Sequence, residues 1–310
     1  MTSIARWLAQ DPVSHASEPL LARSHTANSD EDDDFSLYMQ ALETARFRLA
    51  KRLGDKGAAL HAATASPRRR PSAHHSRFAR TWHLGDWAED ALMRAIDAAP
   101  HLACQRIDAE DGGSVGSADF DASLDRRWAE RALGGKRPDL LVRQSDAVLG
   151  AIEVRASAHH LARYRAAGAK KAEGMAARSL SFTVKLEDLA GIYRWIVTHR
   201  RPQTHVQVFL DGAYAINALR LFETLAFAQT LPRLRAHGRN QNKPTFHIPI
   251  EEGVEIGLFQ PEPELGAEAS IDETGRASAT LSPLGGTLRL NAAALREEMM
   301  PHAPAMPLDA

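Results

Sequence analysis

Cysteine is almost absent from this chain. Cys104 is the single one in 310 residues, so no disulfide can close within it and a reducing compartment suits it. Long apolar runs are missing too. Nothing approaches the roughly 20 apolar residues that a membrane-spanning helix needs. Residues 1–10 carry Arg6 and no apolar core of the signal-peptide kind. The expectation is a soluble, cytoplasmic protein with no membrane partner. Paired cysteines at zinc spacing are lacking, and the 14 histidines are scattered apart from His74-His75 and His159-His160. There is no Gly-x-Ser-x-Gly elbow for a serine nucleophile. The glycine-rich Gly112-Gly113-Ser114-Val115-Gly116-Ser117 is followed by no Gly-Lys-Ser/Thr, so it does not read as a phosphate loop.

A net charge of -1 hides an uneven distribution. Residues 151–245 hold 15 Lys and Arg against 6 Asp and Glu, leaving 23 basic and 33 acidic residues elsewhere. A basic half beside an acidic half fits a surface that faces a polyanion, and it also fits an uneven but solvated surface. Hydrophobic residues make up 44% of the chain, enough for a substantial core.

Three regions are expected. Residues 1–75 form an N-terminal arm, with one helix over 35–53 and a basic linker over 58–75 centred on Ser66-Pro67-Arg68-Arg69-Arg70-Pro71. Residues 76–260 form the core, and 261–310 a C-terminal extension. Within the core, Leu84, Trp87, Ala88, Ala91, Leu92, Ala95 and Ile96 mark one apolar face of a helix over 82–98, with Glu89 at its edge. A polar, basic helical stretch over 159–177 carries Arg163, Lys170 and Lys171, with Arg178 just beyond. Strands at 181–184, 205–210 and 213–216 alternate with helices at 186–198 and 218–229, the pattern of an α/β fold with a mixed sheet. Arg239-Asn240-Gln241-Asn242-Lys243 reads as a polar loop rich in side chains that recognise base edges, or simply as a hydrophilic turn.

The stretch 137–155 organises these parts. Two apolar runs, Leu140-Leu141-Val142 and Val148-Leu149-Gly150-Ala151-Ile152, flank a polar break, which signals a hairpin. A turn at Asp146 leaves Asp139 and Glu153 equally far from it. Residues opposite in an antiparallel pair share a face, with Cβ atoms about 5 Å apart. Two carboxylates then meet on one face, Ile152 and Val154 point to the other, and Arg155 points the same way as Glu153. Paired acids beside a cation suit divalent-metal phosphodiester chemistry, and also suit a plain surface hairpin.

Pro138-Asp139 and Glu153-Val154-Arg155, preceded by Gly85-Asp86-Trp87-Ala88-Glu89, resemble the PD-(D/E)xK nuclease superfamily in the layout of a type II restriction endonuclease. Phe182-Thr183-Val184-Lys185-Leu186-Glu187-Asp188-Leu189 and His205-Val206-Gln207-Val208-Phe209-Leu210-Asp211 are similar to restriction enzymes of the AccI and ApaLI kind. The likeness spans about residues 80–230.

The resemblance implies a restriction-endonuclease-like mixed sheet flanked by helices, and Mg²⁺-dependent cutting of double-stranded DNA at a short site by a homodimer. Asp139 and Glu153 would hold Mg²⁺ with help from Glu89, and Arg155 would stand where the superfamily has Lys. DNA contacts would fall to Arg163, Lys170, Lys171, Arg178, Arg239, Asn240, Gln241 and Lys243. Arginine cannot give up its proton, so Arg155 leaves the water-activating base unassigned. A repair nuclease without site preference, a non-catalytic DNA-binding protein and an interaction protein with surface acids are the other readings.

Overall fold

A computed structural model describes residues 29–64, 76–107, 137–162, 181–186, 188–228, 233–237, 240–271 and 277–300. The expected basic residues Arg163, Lys170, Lys171, Arg178 and Arg239 lie outside that set, as does the arginine run at 68–70.

The chain opens with helix α1 (Ser29–Thr64), longer at both ends than the periodicity predicts. Five acids occupy positions 30–34 at its start, where negative charge complements the unsatisfied N–H groups of a helix N-terminus. The region read as linker from residue 58 is helical to Thr64, because 58–64 is mostly alanine, the strongest helix former. Tyr38, Leu42, Ala45 and Leu49 recur at helical spacing and are fully buried. Helix α2 (Ser76–Asp97) follows.

The main sheet has seven strands. They are β1 (Leu102–Arg106), β2 (Leu140–Gln144), β3 (Ala147–Ala156), β5 (Gln203–Val208), β6 (Gly212–Asn217), β9 (Val254–Phe259) and β12 (Leu288–Leu290), hydrogen-bonded in that order. The β3–β5 pair is parallel and the others antiparallel. A parallel pair needs a crossover. Here it contains β4 (Ser181–Lys185) and helix α3 (Asp188–His199). Gly150 lets the crossover return closely: a Cβ there would stand 2.7 Å from the Pro202 carbonyl oxygen.

Helix α4 (Ala218–Phe227) is capped by Asn217, whose side chain accepts from the Leu219 N–H. Strand β4 belongs to a second, three-stranded sheet with β7 (Arg233–His237) and β8 (Asn240–Pro249), in the order β4-β8-β7. Asn240, Gln241 and Lys243 are therefore strand residues, correcting the polar loop expected at 239–243. The opening Asn240 pairs with His237 of β7. A ribbon of β10 (Glu264–Ile271) and β11 (Ala277–Leu284), then helix α5 (Ala292–Met299), complete the chain.

The sheet is buried on both faces. Leu140, Val142, Ile152, Val154, Val206 and Val208 pack with Trp87, Leu92 and Ile96 of α2 and Leu295 and Met299 of α5. Leu141, Ala151, Tyr214 and Ile216 point the other way, into a core with α1, α3, α4, Phe182 and Phe246. This is the mixed α/β architecture that the pattern predicts. The N-terminal helix, and the strand and helix beyond residue 261, share these cores with the central region. Among the described residues, no helix is long and apolar enough to cross a membrane.

Because α1 fills the second core, Leu42→Ala is expected to destabilise the whole fold by about 2–5 kcal/mol, the usual cost of emptying a buried leucine site. Urea unfolding followed by circular dichroism measures this. A change under about 0.5 kcal/mol would show that α1 is dispensable to the core.

Candidate active site

The β2–β3 hairpin places the acids by an arrangement that its sequence conceals. Gln144 pairs with Ala147 around a two-residue turn, Ser145-Asp146, in which Ser145 has φ of 52°. That register alone would set Asp139 opposite Ile152. Between the Val142↔Gly150 and Arg143↔Val148 pairs the register shifts, and Leu149 is the extra residue. The bulge sets the Leu140↔Ile152 pairing. Just before β2, Asp139 donates its own N–H to the Ile152 carbonyl at 2.9 Å and accepts from the Ile107 N–H with its carbonyl.

Asp139 stands where β2 begins, after Pro138, which has no N–H to offer a ladder. The odd residues of β3 turn their N–H groups toward β5, as Ala151 does to the Pro202 carbonyl. Val154 turns its N–H the other way, beyond the first residue of β2. Asp139 Oδ2 accepts that N–H at 2.7 Å, so the carboxylate lies against the β3 backbone beside Glu153. Glu153 itself is 1% exposed.

Arg155 holds this corner together. Its Nη2 is 2.9 Å from Glu153 Oε1 and donates a hydrogen bond of 2.8 Å to Asp188 Oδ2. Asp188 opens α3, where a carboxylate is favoured by the helix N-terminus. Burial would lower the Arg155 pKa. Glu153, then Asp188 and Asp139, outweigh that, and the guanidinium is held above its ordinary range. Arg155 is a permanent cation and no proton acceptor.

The neighbouring strand extends the polar face. His205 is opposite Glu153 and Gln207 opposite Arg155 in the parallel β3–β5 register, and both are buried. Thr183 Oγ1 donates to Gln207 Oε1 at 3.4 Å, and the Phe182 ring meets His205 edge-on at 6.3 Å. Asp188, His205 and Gln207 were not singled out from the sequence as site residues. The signal present was period two: 203, 205 and 207 are polar within an apolar strand, a face that must meet something polar.

Glu89 is set elsewhere. Its helix, α2, packs on the opposite face of the sheet, and its carboxylate stands 3.7 Å from Arg106. Arg106 also reaches Asp86 at 2.8 Å and Asp90 at 2.9 Å. Among the described residues, no three of the acids, histidines and Cys104 gather as a metal-holding group, so Glu89 does not complete a triad with Asp139 and Glu153. The pair still suits one ion. Hard carboxylate oxygens fit Mg²⁺, which is typically held by one or two of them and keeps its other positions for water and substrate phosphate oxygens.

The stretch that packs against this corner has a recognisable relationship. Residues 175–300 match the family model of the AccI restriction endonuclease. The match covers about two fifths of the chain. It takes in both phrases that resembled such enzymes, and the likeness supports a type II restriction endonuclease. Asp188, His205 and Gln207 fall inside the matched stretch, whereas Asp139, Glu153 and Arg155 precede it. No curated protein and no solved structure matches the chain.

Cys104, on β1, is set up for inertness. Burial and then the nearby Asp97 push its thiol up to about 12. At pH 8 only about one molecule in ten thousand would carry the reactive thiolate. Iodoacetamide labelling followed by mass spectrometry is expected to be slow on the folded protein at pH 8 and fast once urea unfolds it. Rapid labelling of the folded protein would contradict the raised thiol pKa of half-buried Cys104.

Proposed function

We propose that the protein is a Mg²⁺-dependent type II restriction endonuclease of the PD-(D/E)xK kind, cutting double-stranded DNA at a short specific site as a homodimer. The observation that carries the reading is that Glu153 and Asp139 both act on the Arg155 cation, with the Asp139 carboxylate bonded to the Val154 N–H next to Glu153, against the stretch that matches the AccI family.

In this reading Asp139 and Glu153 hold the ion. When bound, Mg²⁺ supplies Lewis-acid polarisation of the scissile phosphate and a coordinated water of lowered pKa. Arg155 contributes fixed positive charge toward the extra negative charge that builds on the phosphate in the transition state. Its permanent protonation removes it from proton transfer, so the water's proton leaves by another acceptor. The basic character of residues 151–245 supplies phosphate contacts, which carry no sequence information and weaken as salt rises. Asn240, Gln241 and Lys243, with Arg239 before them, are the residues proposed to read bases. Asn and Gln suit adenine, and Arg and Lys suit guanine. A two-fold dimer follows from a palindromic target, since symmetry in the site mirrors symmetry in the protein.

Purified protein incubated with long mixed-sequence DNA tests this directly. Discrete fragments are expected with Mg²⁺ and intact DNA with EDTA. Asp139→Ala is expected to lose at least a hundredfold in cleavage, since a metal's charge stabilisation is worth several kcal/mol and about 1.4 kcal/mol is tenfold. The same variant should still shift DNA in a gel. A smear in place of bands would indicate a nuclease without site preference, and a salt-sensitive shift without cutting would indicate a non-catalytic DNA-binding protein. Full cleavage by Asp139→Ala would overturn the site.

A further inference from the structure

We infer that Asp188 is a positioning residue of the cation site, and that it acts by holding the Arg155 guanidinium away from a two-pronged pair with Glu153. The inference rests on the proposed role of Glu153 and goes beyond it, since Asp188 is 35 residues along the chain, on another element.

The geometry comes first. One nitrogen, Arg155 Nη2, serves both acids, at 2.9 Å from Glu153 Oε1 and 2.8 Å from Asp188 Oδ2. Its hydrogen bond goes to Asp188. An arginine beside a lone carboxylate favours the fork, two parallel N–H···O bonds that engage both oxygens. Arg155 and Glu153 are two residues apart on one face of one strand, so a fork would close between neighbours without moving the backbone. Asp188 competes for the same fork from the first turn of α3.

Rigidity comes second. Asp188 is buried and its helix is packed along its length: Leu189, Ile192, Tyr193, Trp195 and Ile196 are all in the core. The carboxylate that pulls on Arg155 is therefore fixed by the fold. Glu153, at 1% exposure, has little room to move away from a fork once one forms.

The consequence for a divalent ion is direct. A fork on Glu153 sets a permanent cation across the oxygens that the ion needs, and like charges at that distance repel. With Asp188 in place, Arg155 Nη2 is shared between Glu153 Oε1 and Asp188 Oδ2. Asp188 also adds negative charge near the ion without touching it. Removing the carboxylate loses both effects, and each weakens metal binding.

The test uses the full-length protein without DNA and Mn²⁺ as the probe, with binding followed by electron paramagnetic resonance of the free ion. Asp188→Asn is expected to raise the Mn²⁺ dissociation constant about tenfold, and Asp188→Glu to restore most of the affinity. If Asp188 works through Arg155, the Asp188→Asn effect should shrink to threefold or less in an Arg155→Gln background. Thermal melting of each variant separates a folding defect from a binding defect. Should Asp188→Asn fail to fold, the comparison of Asp188→Glu with Arg155→Gln carries the test, with affinity kept in the first and raised in the second.

Wild-type affinity in a folded Asp188→Asn protein would overturn the inference alone, provided Glu153→Gln still abolishes Mn²⁺ binding. So would an undiminished effect in the Arg155→Gln background. Mn²⁺ binding that ignores Glu153→Gln would overturn the metal site and this inference together.

Discussion

Face parity in one hairpin governs everything else in this molecule. A strand can present Asp139 and Glu153 together or set them on opposite sides of a sheet, and nothing in between. The two-residue turn at Ser145-Asp146 sets one register, and the extra residue Leu149 shifts it by one before Leu140 meets Ile152. Once parity is set, the remaining placements follow. Ile152 and Val154 go into the core under α2, and Glu153 and Arg155 into the layer under α3. The β5 register then lays His205 and Gln207 beside them.

Burying that much charge is expensive unless it is paired. The fold meets the requirement locally, with Arg155 drawn on by Glu153, Asp188 and Asp139, and with the Val154 N–H bonded to Asp139. The same economy appears on the other face, where Arg106 gathers Asp86, Glu89 and Asp90 at the edge of the α2 core. Two arginine-centred clusters thus sit on opposite faces of one sheet. The Arg155 cluster includes Asp188, from the stretch that matches the AccI family. It is the cluster on which the proposed phosphodiester chemistry rests.

Much of this was legible in the residues. Helices α2 and α3, strands β5 and β6, and the β2–β3 hairpin follow from periodicity and from two apolar runs around a polar break. The turn differs from the symmetric one at Asp146: it is tighter and is followed by a bulge, and the two give the same pairing from Val142 to Leu140. A bulge leaves no mark in a continuous apolar run such as 147–152. Asp188 was invisible for a different reason. Glu187-Asp188 before Leu189 reads as ordinary acid at a helix start, and only the crossover between β3 and β5 carries it back to Arg155. The position of Glu89 relative to Glu153 was not legible, because helical periodicity tells which side of α2 is apolar but not which face of the sheet that side will cover. The opening of β8 read as loop because its composition is polar, and its pairing at Asn240 is with a strand, β7, that the local pattern does not reveal.

The central proposal is that the Asp139 and Glu153 carboxylates, beside the fixed Arg155 guanidinium, form a divalent-cation site. Crystals of the full chain grown with Mn²⁺, measured at the manganese absorption edge, test it most directly. The account predicts an anomalous peak within coordination distance of both Asp139 and Glu153 carboxylates. Well-ordered crystals showing those two side chains on opposite faces of the sheet, or the ion bound elsewhere with neither as ligand, would contradict it.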